Sequence, residues 1–305
     1  MTRATQEFDH GVETAVVTGA TGTVGSQVVE RLAESGTRVV GMDTERPSGT
    51  RPRVAFREVD LRDQGDTWES IHEVDPDAVV HCAAVSNPLD NPGTRVFTNN
   101  TASTYNTLVA AGRVDAEVVW TSSQAAYGAL FGEDWVPDYL PIDEAHELRP
   151  ADPYGVSKVC GEAVAGSVAR RYEVPVTTLR PATVHGPEAS RTRPPREDAD
   201  LGSDDLRGNF GSWVDVRDVA RLVEAALAAD YEGHETVLCV ADENALGPPT
   251  ADVVETVCGT IPEQCDLSGR EAALSNARAA ERFDWRPTYD DPGAATDAPV
   301  APDWL

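Results

Sequence analysis

A chain of 305 residues is long enough to bury the core of one large domain, alone or together with a smaller partner domain. Its 52 acidic residues outnumber 25 basic residues and give a formal charge of −27, so that a nucleic acid backbone would be repelled rather than neutralised. We therefore expect no nucleic acid partner.

The N-terminal stretch 1–13, MTRATQEFDHGVE, lacks the apolar core of a secretory signal peptide. No later window approaches the roughly 18 consecutive apolar residues that a membrane span requires. The cysteines are odd in number and form no Cys-x-x-Cys pair, which favours reduced thiols over disulfides or a metal site. They are Cys82, Cys160, Cys239, Cys258 and Cys265. We expect a cytoplasmic protein with no membrane partner and no metal.

Short β-branched runs then alternate with longer helical segments along the chain. The patterns predict strands at 14–18, 38–42, 78–82, 117–121 and 174–179, and helices at 23–35, 64–73, 95–112 and 153–172. Strands that are apolar throughout, each followed by a helix, indicate right-handed βαβ crossovers and a parallel sheet covered on both faces. The sequence therefore predicts an α/β fold.

A polar interval follows the strand predicted at 174–179. Residues 188–209, EASRTRPPREDADLGSDDLRGN, contain only two large apolar residues, Leu201 and Leu206, and are expected to form no core element. A helix at 214–229 and a strand at 236–240 follow. Two short helical stretches come next, before a tail rich in Pro, Ala and Asp.

The first predicted strand leads directly into the sequence TGATGTVG, in which Gly19, Gly22 and Gly25 precede a helix. Glycines at this spacing permit a tight turn and a close approach of the backbone to a pyrophosphate at the helix N-terminus. Glycine triplets alone are weak evidence, but here a strand comes before, a helix after, and Asp43 at the end of the next strand. This context predicts a dinucleotide-binding loop.

Asp43 favours NAD as the cofactor. Its carboxylate would accept hydrogen bonds from the adenosine ribose and would repel a 2′-phosphate. Arg46, three residues later, is the reason why NADP is not excluded as the cofactor. The alternative interpretation of Asp43 is an ordinary turn residue. Asp60, followed by Leu61, lies where a carboxylate could bind the adenine amino group.

Lys158 is the only lysine of the chain, and the other 24 of the 25 basic residues are arginines. This acidic, lysine-poor composition is similar to that of cytoplasmic proteins of halophilic archaea, whose acidic surfaces stay hydrated at molar salt. An acidic enzyme of a mesophile is the alternative. Neither explanation accounts for the single lysine that remains.

Chemistry with Tyr154 offers a reason for that lysine. Asp152 is predicted as a helix N-cap and Pro153 as the first helical residue, so Tyr154 and Lys158 lie one turn apart on one face. A compact ammonium is expected to lower the pKa of the phenol and to hold a ribose, which a broad guanidinium would do poorly. The alternative is an incidental pair on a solvent-facing helix.

Together these motifs resemble the extended short-chain dehydrogenase/reductases, the NAD-dependent epimerase/dehydratase group. The resemblance covers about 14–240. It is carried by TGATGTVG, Asp43, Asp60, HCAA (81–84), Asn100, SSQAAYG (122–128), YGVSK (154–158), RPATVHGP (180–187) and WVDVRDVA (213–220).

The resemblance implies roles for individual residues. Ser123 would be the catalytic hydroxyl that binds the substrate oxygen, Tyr154 the proton-transfer residue and Lys158 its partner. Asn100 would support the site, while His81 and Cys82 would pack at the end of a strand. The implied cofactor-binding residues are Gly19, Thr21, Gly22, Thr23, Val24, Gly25, Asp43, Asp60, Leu61, Ala83, Asn100, Tyr154, Lys158 and Thr183.

The same resemblance implies the domain organisation. A Rossmann-type, doubly wound parallel sheet would form the NAD-binding domain over 12–185. Residues 186–290 would form a small C-terminal substrate-binding lobe interleaved with it, and 1–11 and 291–305 would be flexible tails. A homodimer would form through the two helices predicted at 95–112 and 153–172.

Two departures from the family pattern bear on the reaction. Family dehydratases carry an Asp-Glu pair directly after the catalytic hydroxyl, whereas this chain has Gln124 and Ala125, which disfavours dehydration. The interval between Gly186 and Trp213 is short, charged and almost devoid of apolar residues. It lacks the material for a pocket around a nucleobase, which favours a smaller substrate.

We therefore expect an NAD-dependent sugar dehydrogenase. The stretches AAVSNP (83–88) and GNFGSWVDVRDVARLV resemble the sugar and uronate dehydrogenases of the family. The predicted reaction oxidises the C1 hydroxyl of a free aldose or uronate to a lactone, with Tyr154 as base. Candidate sugar contacts are Ser86, Ser123, Gln124 and His185; a turn cap, a surface amide and a packed turn histidine are the alternatives for Ser86, Gln124 and His185.

Two other functions remain open. One is an NAD-dependent epimerase of a sugar or nucleotide sugar, which would keep its cofactor bound and show no net turnover of it. The other is a non-catalytic, NAD-sensing protein with the same fold. The Ser123, Tyr154 and Lys158 set argues against the sensor, which has no need of a reactive phenol.

Overall fold

The computed structural model describes residues 8–128, 135–186, 209–289 and 301–305. Its strands are β1 (Thr14–Thr18), β2 (Arg38–Asp43), β3 (Val54–Glu58), β4 (Ala78–His81), β5 (Glu117–Thr121), β6 (Tyr139–Leu140), β7 (Val176–Pro181), β8 (Thr183–His185), β9 (Trp213–Asp215), β10 (His234–Cys239) and β11 (Gln264–Cys265). Its α-helices are α1 (Thr23–Glu34), α2 (Gln64–Val74), α3 (Gly93–Arg113), α4 (Pro153–Tyr172), α5 (Val216–Leu227), α6 (Thr250–Cys258) and α7 (Ala277–Phe283). The predicted alternation of strands and helices is thus confirmed.

Within the described residues, a sheet of seven strands forms the centre of the fold, in the order β10-β7-β5-β4-β1-β2-β3. All neighbouring strands of this sheet are parallel. The strand order reverses between β1 and β4, and in open α/β sheets the crevice at such a point binds the ligand. This is the predicted Rossmann-type sheet.

Helices cover both faces of the sheet, as its apolar strands require. Val17 of β1 belongs to a core shared with α1 and α5, whereas its neighbour Val16 belongs to a core shared with α2, α3 and α4. Successive side chains of a strand point to opposite faces, so a strand buried on both sides can be apolar at adjacent positions, as at Val16 and Val17. The sheet is therefore doubly wound.

A smaller lobe packs around a third apolar core, which includes Tyr127, Leu140 and Phe210. Two short parallel pairs accompany it, β6 with β11 and β8 with β9. Later in the chain, α5 packs on the main sheet and β10 is its edge strand. The lobe also draws on residues before 186, because Leu140 and Ile142 contribute to its core.

The helix predicted at 214–229 begins later than expected. Trp213–Asp215 is strand β9, in which Val214 is paired with Val184 of β8. The Asp215 carboxylate accepts a hydrogen bond from the backbone N–H of Arg217 at 2.9 Å and so acts as the helix N-cap. The polar segment 188–209 lies outside the described residues except for Asn209.

Acidic residues end several of the helices. The C-cap residues of α2, α4 and α7 are Asp75, Glu173 and Asp284, all with positive φ in the left-handed region, whereas α6 ends at Gly259. Glycine is the usual residue there because it has no Cβ to clash. Within the described residues, none of the helices is both long and apolar enough to span a membrane.

The last five residues, expected as part of a flexible tail, pack against the sheet domain. Trp304 is only 3% exposed, and its ring centre lies 5.0 Å from that of Phe56. Its indole N–H donates to a carboxylate oxygen of Glu30 at 3.0 Å. An aromatic side chain with a satisfied N–H explains why this end of the chain is held in place.

Candidate active site

The glycine loop joins β1 to α1 and passes very close to the next strand end. Gly19 has φ of +64°, and a Cβ there would lie 2.7 Å from the backbone nitrogen of Ala83. A Cβ on Gly25 would overlap the backbone oxygen of Gly19. Gly22 begins α1 without a side-chain cap, so the first N–H groups of the helix remain available to an anion. The loop therefore fits a bound pyrophosphate.

Asp43 fixes this loop from the end of β2. One carboxylate oxygen accepts hydrogen bonds from the Thr21 backbone N–H at 3.0 Å and the Thr21 hydroxyl at 2.7 Å. The other accepts from the Thr44 backbone N–H at 2.8 Å. A carboxylate has roughly four acceptor positions, so Asp43 keeps capacity for a ribose hydroxyl. Arg46 is exposed nearby on the chain.

Asp60 and Leu61 follow β3 at the same edge of the sheet. The Asp60 carboxylate is held by the Arg62 guanidinium, whose Nη2 donates at 2.6 Å, and this bond holds the pKa of Asp60 below its usual value. Leu61 is buried, and its backbone oxygen accepts from the Asn106 side chain at 2.9 Å. The two residues form an ordered turn beyond the sheet.

Asn100 on α3 holds the loop that follows β4. Its amide oxygen accepts from the Val85 backbone N–H at 2.8 Å, and its amide nitrogen donates to the Val85 oxygen at 3.0 Å. The same nitrogen donates to the Ser157 hydroxyl of α4 at 3.2 Å. Asn100 thus joins α3, α4 and the loop containing Ser86.

Ser123 follows β5 and precedes a short 3-10 helix, Gln124–Tyr127. Its hydroxyl accepts the backbone N–H of Ala125 at 3.1 Å. Gln124 is 2% exposed, and its amide nitrogen donates to the Thr183 hydroxyl at 3.2 Å. The amide oxygen of Gln124 is buried and has no hydrogen-bond partner among the described residues.

Tyr154 lies in the first turn of α4, as its sequence context predicts. The Asp152 side chain accepts from the backbone N–H groups of Tyr154 and Gly155 at 2.8 and 2.9 Å, and Pro153 occupies the first helical position. This cap is the expected one. It fixes the start of the helix and therefore the place from which the Tyr154 phenol enters the site.

Lys158 is one turn further along α4 and is 3% exposed. Its ammonium donates to the backbone oxygen of Thr121 at 2.8 Å and lies 5.3 Å from the Trp120 ring centre and 5.4 Å from that of Tyr154. The two catalytic candidates thus share one face of the helix. A compact ammonium fits this confined position, where a planar guanidinium would need more room.

The pKa values depart from our expectation for this pair. Burial raises the pKa of Tyr154 to about 12, although a hydrogen bond with Ser123 acts in the lowering direction. Burial lowers the pKa of Lys158 to about 8, against the opposing effects of Cys82 and Glu162. The ammonium bonds to the Thr121 oxygen, so the protein alone does not lower the phenol pKa as we had expected.

His81 and Cys82 pack at the end of β4, as the resemblance implies. Burial lowers the pKa of His81 to about 3, and its two ring nitrogens lie 2.7 Å from the Thr18 hydroxyl and 3.2 Å from the Thr104 hydroxyl. Burial raises the pKa of the Cys82 thiol to about 12. Both side chains are therefore neutral near pH 7.

A cavity of about 510 Å³ joins the glycine loop to the catalytic candidates. The predicted residues that line it are Gly19, Gly22, Thr23, Val24, Gly25, Ser86, Ser123, Gln124, Tyr154, Lys158 and Thr183. Further lining residues were not predicted from the sequence as cofactor or substrate contacts; they are Cys82, Ala84, Thr121, Ser122, Pro181, Ala182 and Val184. Most of these adjoin residues that were predicted, and position at a strand end was the signal that could have found them.

The remaining predicted residues lie outside the lining of this cavity. Thr21, Asp43, Asp60, Leu61, Ala83 and Asn100 lie at or behind the ends of the neighbouring strands, as described above. His185, predicted as a sugar contact, packs with its ring centre 5.6 Å from that of Trp213. His185 is the last residue of strand β8, so a role as a sugar contact remains a prediction.

The residues described above fit NAD. An uncapped helix N-terminus faces the glycine loop, a carboxylate lies at the end of β2, and Tyr154 and Lys158 open into the same cavity. Within the described residues, no group of three or more His, Cys, Asp or Glu side chains could hold a metal ion.

The sequence is similar to those of known proteins over most of its length. The NAD dependent epimerase/dehydratase family model matches residues 15–240. The chain is 34% identical over 298 residues to the putative UDP-glucose 4-epimerase of Methanocaldococcus jannaschii, across 90% of this chain and 93% of that protein. It is 30% identical over 318 residues to the UDP-glucose 4-epimerase of Streptomyces lividans, across 93% of this chain and 94% of that protein.

The fold is likewise shared with solved structures. The UDP-glucose 4-epimerase from Brucella ovis in complex with NAD aligns with a TM-score of 0.68 over 92% of this chain and 95% of that one, at 23% identity. The family expected from the motifs is therefore confirmed. NAD, the expected cofactor, is the cofactor of this family and is bound in the Brucella ovis structure. The chain belongs to the NAD-dependent epimerase/dehydratase family, the extended short-chain dehydrogenase/reductases.

Proposed function

We infer that this enzyme is an NAD-dependent epimerase whose substrate is a nucleotide sugar, with UDP-glucose and UDP-galactose as the first pair to test. The observation that carries the proposal is the shared cavity, into which Ser123, Tyr154 and Lys158 open together with the glycine loop. Relatives described as UDP-glucose 4-epimerases match nearly the whole chain and supply the substrate class. This reading takes the place of the sugar dehydrogenase as our leading hypothesis.

Tyr154 is the group that moves the proton in this proposal. Its phenolate accepts the proton of the sugar hydroxyl while hydride leaves the carbon that bears it, and the phenol returns the proton when hydride adds to the opposite face. Bound NAD would supply the hydride acceptor and, through its cationic nicotinamide ring, a positive charge that lowers the pKa of the phenol. The sugar carbon is oxidised and then reduced, so no net redox change occurs.

Ser123 and Lys158 position this transfer. The Ser123 hydroxyl, anchored at the start of the 3-10 helix, donates to the reacting oxygen and holds it beside the phenol. The ammonium of Lys158 keeps its charge next to Tyr154 and offers its remaining donors to the nicotinamide ribose. Gln124 and Ala125 supply neither an acid nor a base, which argues against dehydration.

A sugar dehydrogenase is kept as a second candidate because of one observation. The amide oxygen of Gln124 is buried beside Ser123 and has no hydrogen-bond partner among the described residues. An orphaned acceptor in a cavity suits a sugar hydroxyl held close to the reacting carbon. The polar segment 188–209, which favoured a smaller substrate, lies outside the described residues except for Asn209.

Product analysis distinguishes the two reactions. The purified enzyme with NAD is given UDP-glucose or UDP-galactose, and the products are followed by NMR. In parallel, NADH absorbance is followed with a panel of free aldoses and uronates. Interconversion without net NADH supports the epimerase, whereas stoichiometric NADH with a free sugar and a lactone product would establish the dehydrogenase. The Tyr154→Phe variant is the control, since it removes the proton-transfer group.

The expected homodimer is part of this proposal. Phe97 and Tyr105 of α3 are 37% and 48% exposed, and a groove of about 240 Å³ runs between α3 and α4 beside Tyr105, Val109 and Val164. Exposed aromatic side chains beside an apolar groove are typical of a protein interface. A second copy of the chain would cover this face.

A further inference from the structure

A buried ion pair lies behind the catalytic serine. Glu162 of α4 and Arg180 of β7 have side chains that are 10% and 5% exposed. Arg180 donates through Nε to one carboxylate oxygen at 2.9 Å and through Nη2 to the other at 2.7 Å. A two-pronged arrangement of this kind fixes the orientation of both side chains as well as their distance.

The pair also holds the two ends of the segment that carries Ser123. At one end the Ser122 hydroxyl donates to Glu162 Oε1 at 2.8 Å. At the other end Arg180 Nη1 donates to the Tyr127 hydroxyl at 2.8 Å, and the guanidinium lies 5.0 Å from the Tyr127 ring centre. Ser123 and Gln124 lie between these two attachments.

We propose that Glu162 and Arg180 are positioning residues for the reaction: their ion pair clamps residues 122–127 against α4 and so fixes Ser123 relative to Tyr154 and Lys158. Tyr154, Lys158 and Glu162 are on one helix, at successive turns, whereas Ser123 belongs to a different element. Without a rigid link, the serine hydroxyl and the phenol would depend on separate parts of the fold. A misplacement of about 1 Å can cost roughly 100-fold in rate.

Glu162 has a second effect, which is electrostatic. The titratable groups near Lys158 are Tyr154 and Glu162 of α4 and His81 and Cys82 of β4 and the loop after it. The guanidinium of Arg180 in β7 is bound to the side of Glu162 and is the other charged group of this region. His81, Cys82 and Tyr154 are neutral near pH 7, because burial lowers the pKa of the first and raises those of the other two. Glu162 is therefore the anion among them that keeps Lys158 charged.

The single lysine makes this effect directly measurable. Protein labelled with [ζ-15N]lysine gives one side-chain signal, from Lys158, whose pH titration reports its pKa without substrate. In Glu162→Gln the titration should move to lower pH, by roughly one pH unit for the loss of a nearby opposite charge. In Glu162→Asp, which keeps the charge, it should stay near that of the parent. An unchanged titration in Glu162→Gln would overturn the electrostatic part.

Kinetics test the clamp, and this second test rests on the proposed function. Ser122→Ala removes the link to Glu162 without changing charge, and Glu162→Asp disturbs the two-pronged geometry without changing charge. Both should lower kcat roughly 10- to 100-fold, and Glu162→Asp, at a residue outside the cavity lining, should leave the Kd for NAD unchanged. Normal kcat in both variants would overturn the clamp. If the parent enzyme epimerises nothing, only the proposed function has failed, since the lysine titration still reports on Glu162.

Folding of the variants is controlled separately. Glu162→Gln leaves a buried guanidinium without its anion, which can be strongly destabilising. The double variant Glu162→Gln/Arg180→Gln removes both charges, so its Lys158 titration should lie between that of the parent and that of Glu162→Gln, in which the Arg180 cation remains. A titration at higher pH than that of the parent in this folded double variant would contradict the electrostatic part of the proposal.

Discussion

The ammonium of Lys158 lies 5.4 Å from the centre of the Tyr154 ring, one turn away along α4. It is held there by the backbone oxygen of Thr121, at 2.8 Å, rather than by another side chain. A backbone acceptor at the end of β5 sets the height of the ammonium above the sheet. The position of the charge is thus built into the junction of a strand and a helix.

Lys158→Arg should keep NAD binding and lose most of the turnover. The guanidinium preserves the charge, but it is too broad for a site that is 3% exposed and cannot reproduce the bond to Thr121. The measurement is kcat beside the Kd for NAD. Arg171→Lys, an exposed exchange at the end of the same helix, is the matched control. Near-normal kcat in Lys158→Arg would refute our explanation of the single lysine.

Asp43→Asn should narrow the preference for NAD over NADP, mainly through KM. The amide removes the negative charge that would repel a 2′-phosphate but leaves an oxygen that can accept from Thr21. Asp43→Ala should weaken binding of both cofactors, because it also releases the loop. The two variants are compared by KM for each cofactor. A parent enzyme that already prefers NADP would show that our assignment of Asp43 is wrong.

Gln124→Leu should raise the KM for the sugar substrate about tenfold, the effect of losing about one hydrogen bond of 1.4 kcal/mol, without changing the Kd for NAD. Leucine has a similar volume but lacks both the donor to Thr183 and the free acceptor. Gln64→Leu, at an exposed position of α2, serves as control. An unchanged KM would mean that the amide oxygen does not contact the substrate.

Tyr105→Glu should weaken the proposed homodimer. A carboxylate placed at the centre of the α3 and α4 face would face its own copy across a two-fold axis. Light scattering coupled to gel filtration, over a range of protein concentrations, measures the association. Phe97→Glu should act in the same direction, while Glu263→Gln, elsewhere on the surface, should leave the mass unchanged. A parent that is monomeric at all concentrations contradicts the interface.

Glu117→Gln should stabilise the protein more at pH 8 than at pH 5. Burial raises the pKa of Glu117 to about 8, and one of its carboxylate oxygens is buried without a partner among the described residues. The unfolded chain releases this proton near pH 4.5 while the folded protein keeps it, so stability is lost as the pH rises from about 4.5 towards 8.

Urea unfolding at the two pH values tests this expectation. The gain in unfolding free energy of Glu117→Gln over the parent is compared with that of Glu263→Gln, an exposed glutamate. An equal gain at pH 5 and pH 8 would show that Glu117 ionises alike in the folded and unfolded states.

The central sheet could be predicted from the sequence because its signals are local. Val16 and Val17 are adjacent and both fully buried, and a short run of apolar, β-branched residues has few other interpretations. The turn at Gly19 and the cap at Asp152 depend on residues within a few positions. For the same reason the glycine loop and the pair Tyr154 and Lys158, which line one cavity, could be located from the sequence.

Features that depend on distant partners could not be predicted in this way. Strands β8 and β9 have three residues each, and Val184 finds Val214 only in the folded chain. The pKa of Tyr154 is raised because the side chain is buried, and the spacing of residues in the sequence does not reveal this burial. Glu162 lies one turn beyond Lys158 and could have been noticed, but its partner Arg180 comes from another strand.

The acidic C-caps of α2, α4 and α7 have a consequence for the behaviour of the protein in dilute buffer. At Asp75 and Glu173 the backbone conformation costs about 1 kcal/mol relative to glycine, and a negative charge faces the negative end of the helix dipole. Added salt screens only the second of these penalties. Asp75→Asn would remove only the charge penalty, whereas Asp75→Gly would remove both the charge penalty and the backbone penalty. Comparing the unfolding free energies of the two variants therefore separates the part of the stability that depends on dissolved salt from the part that depends on backbone conformation.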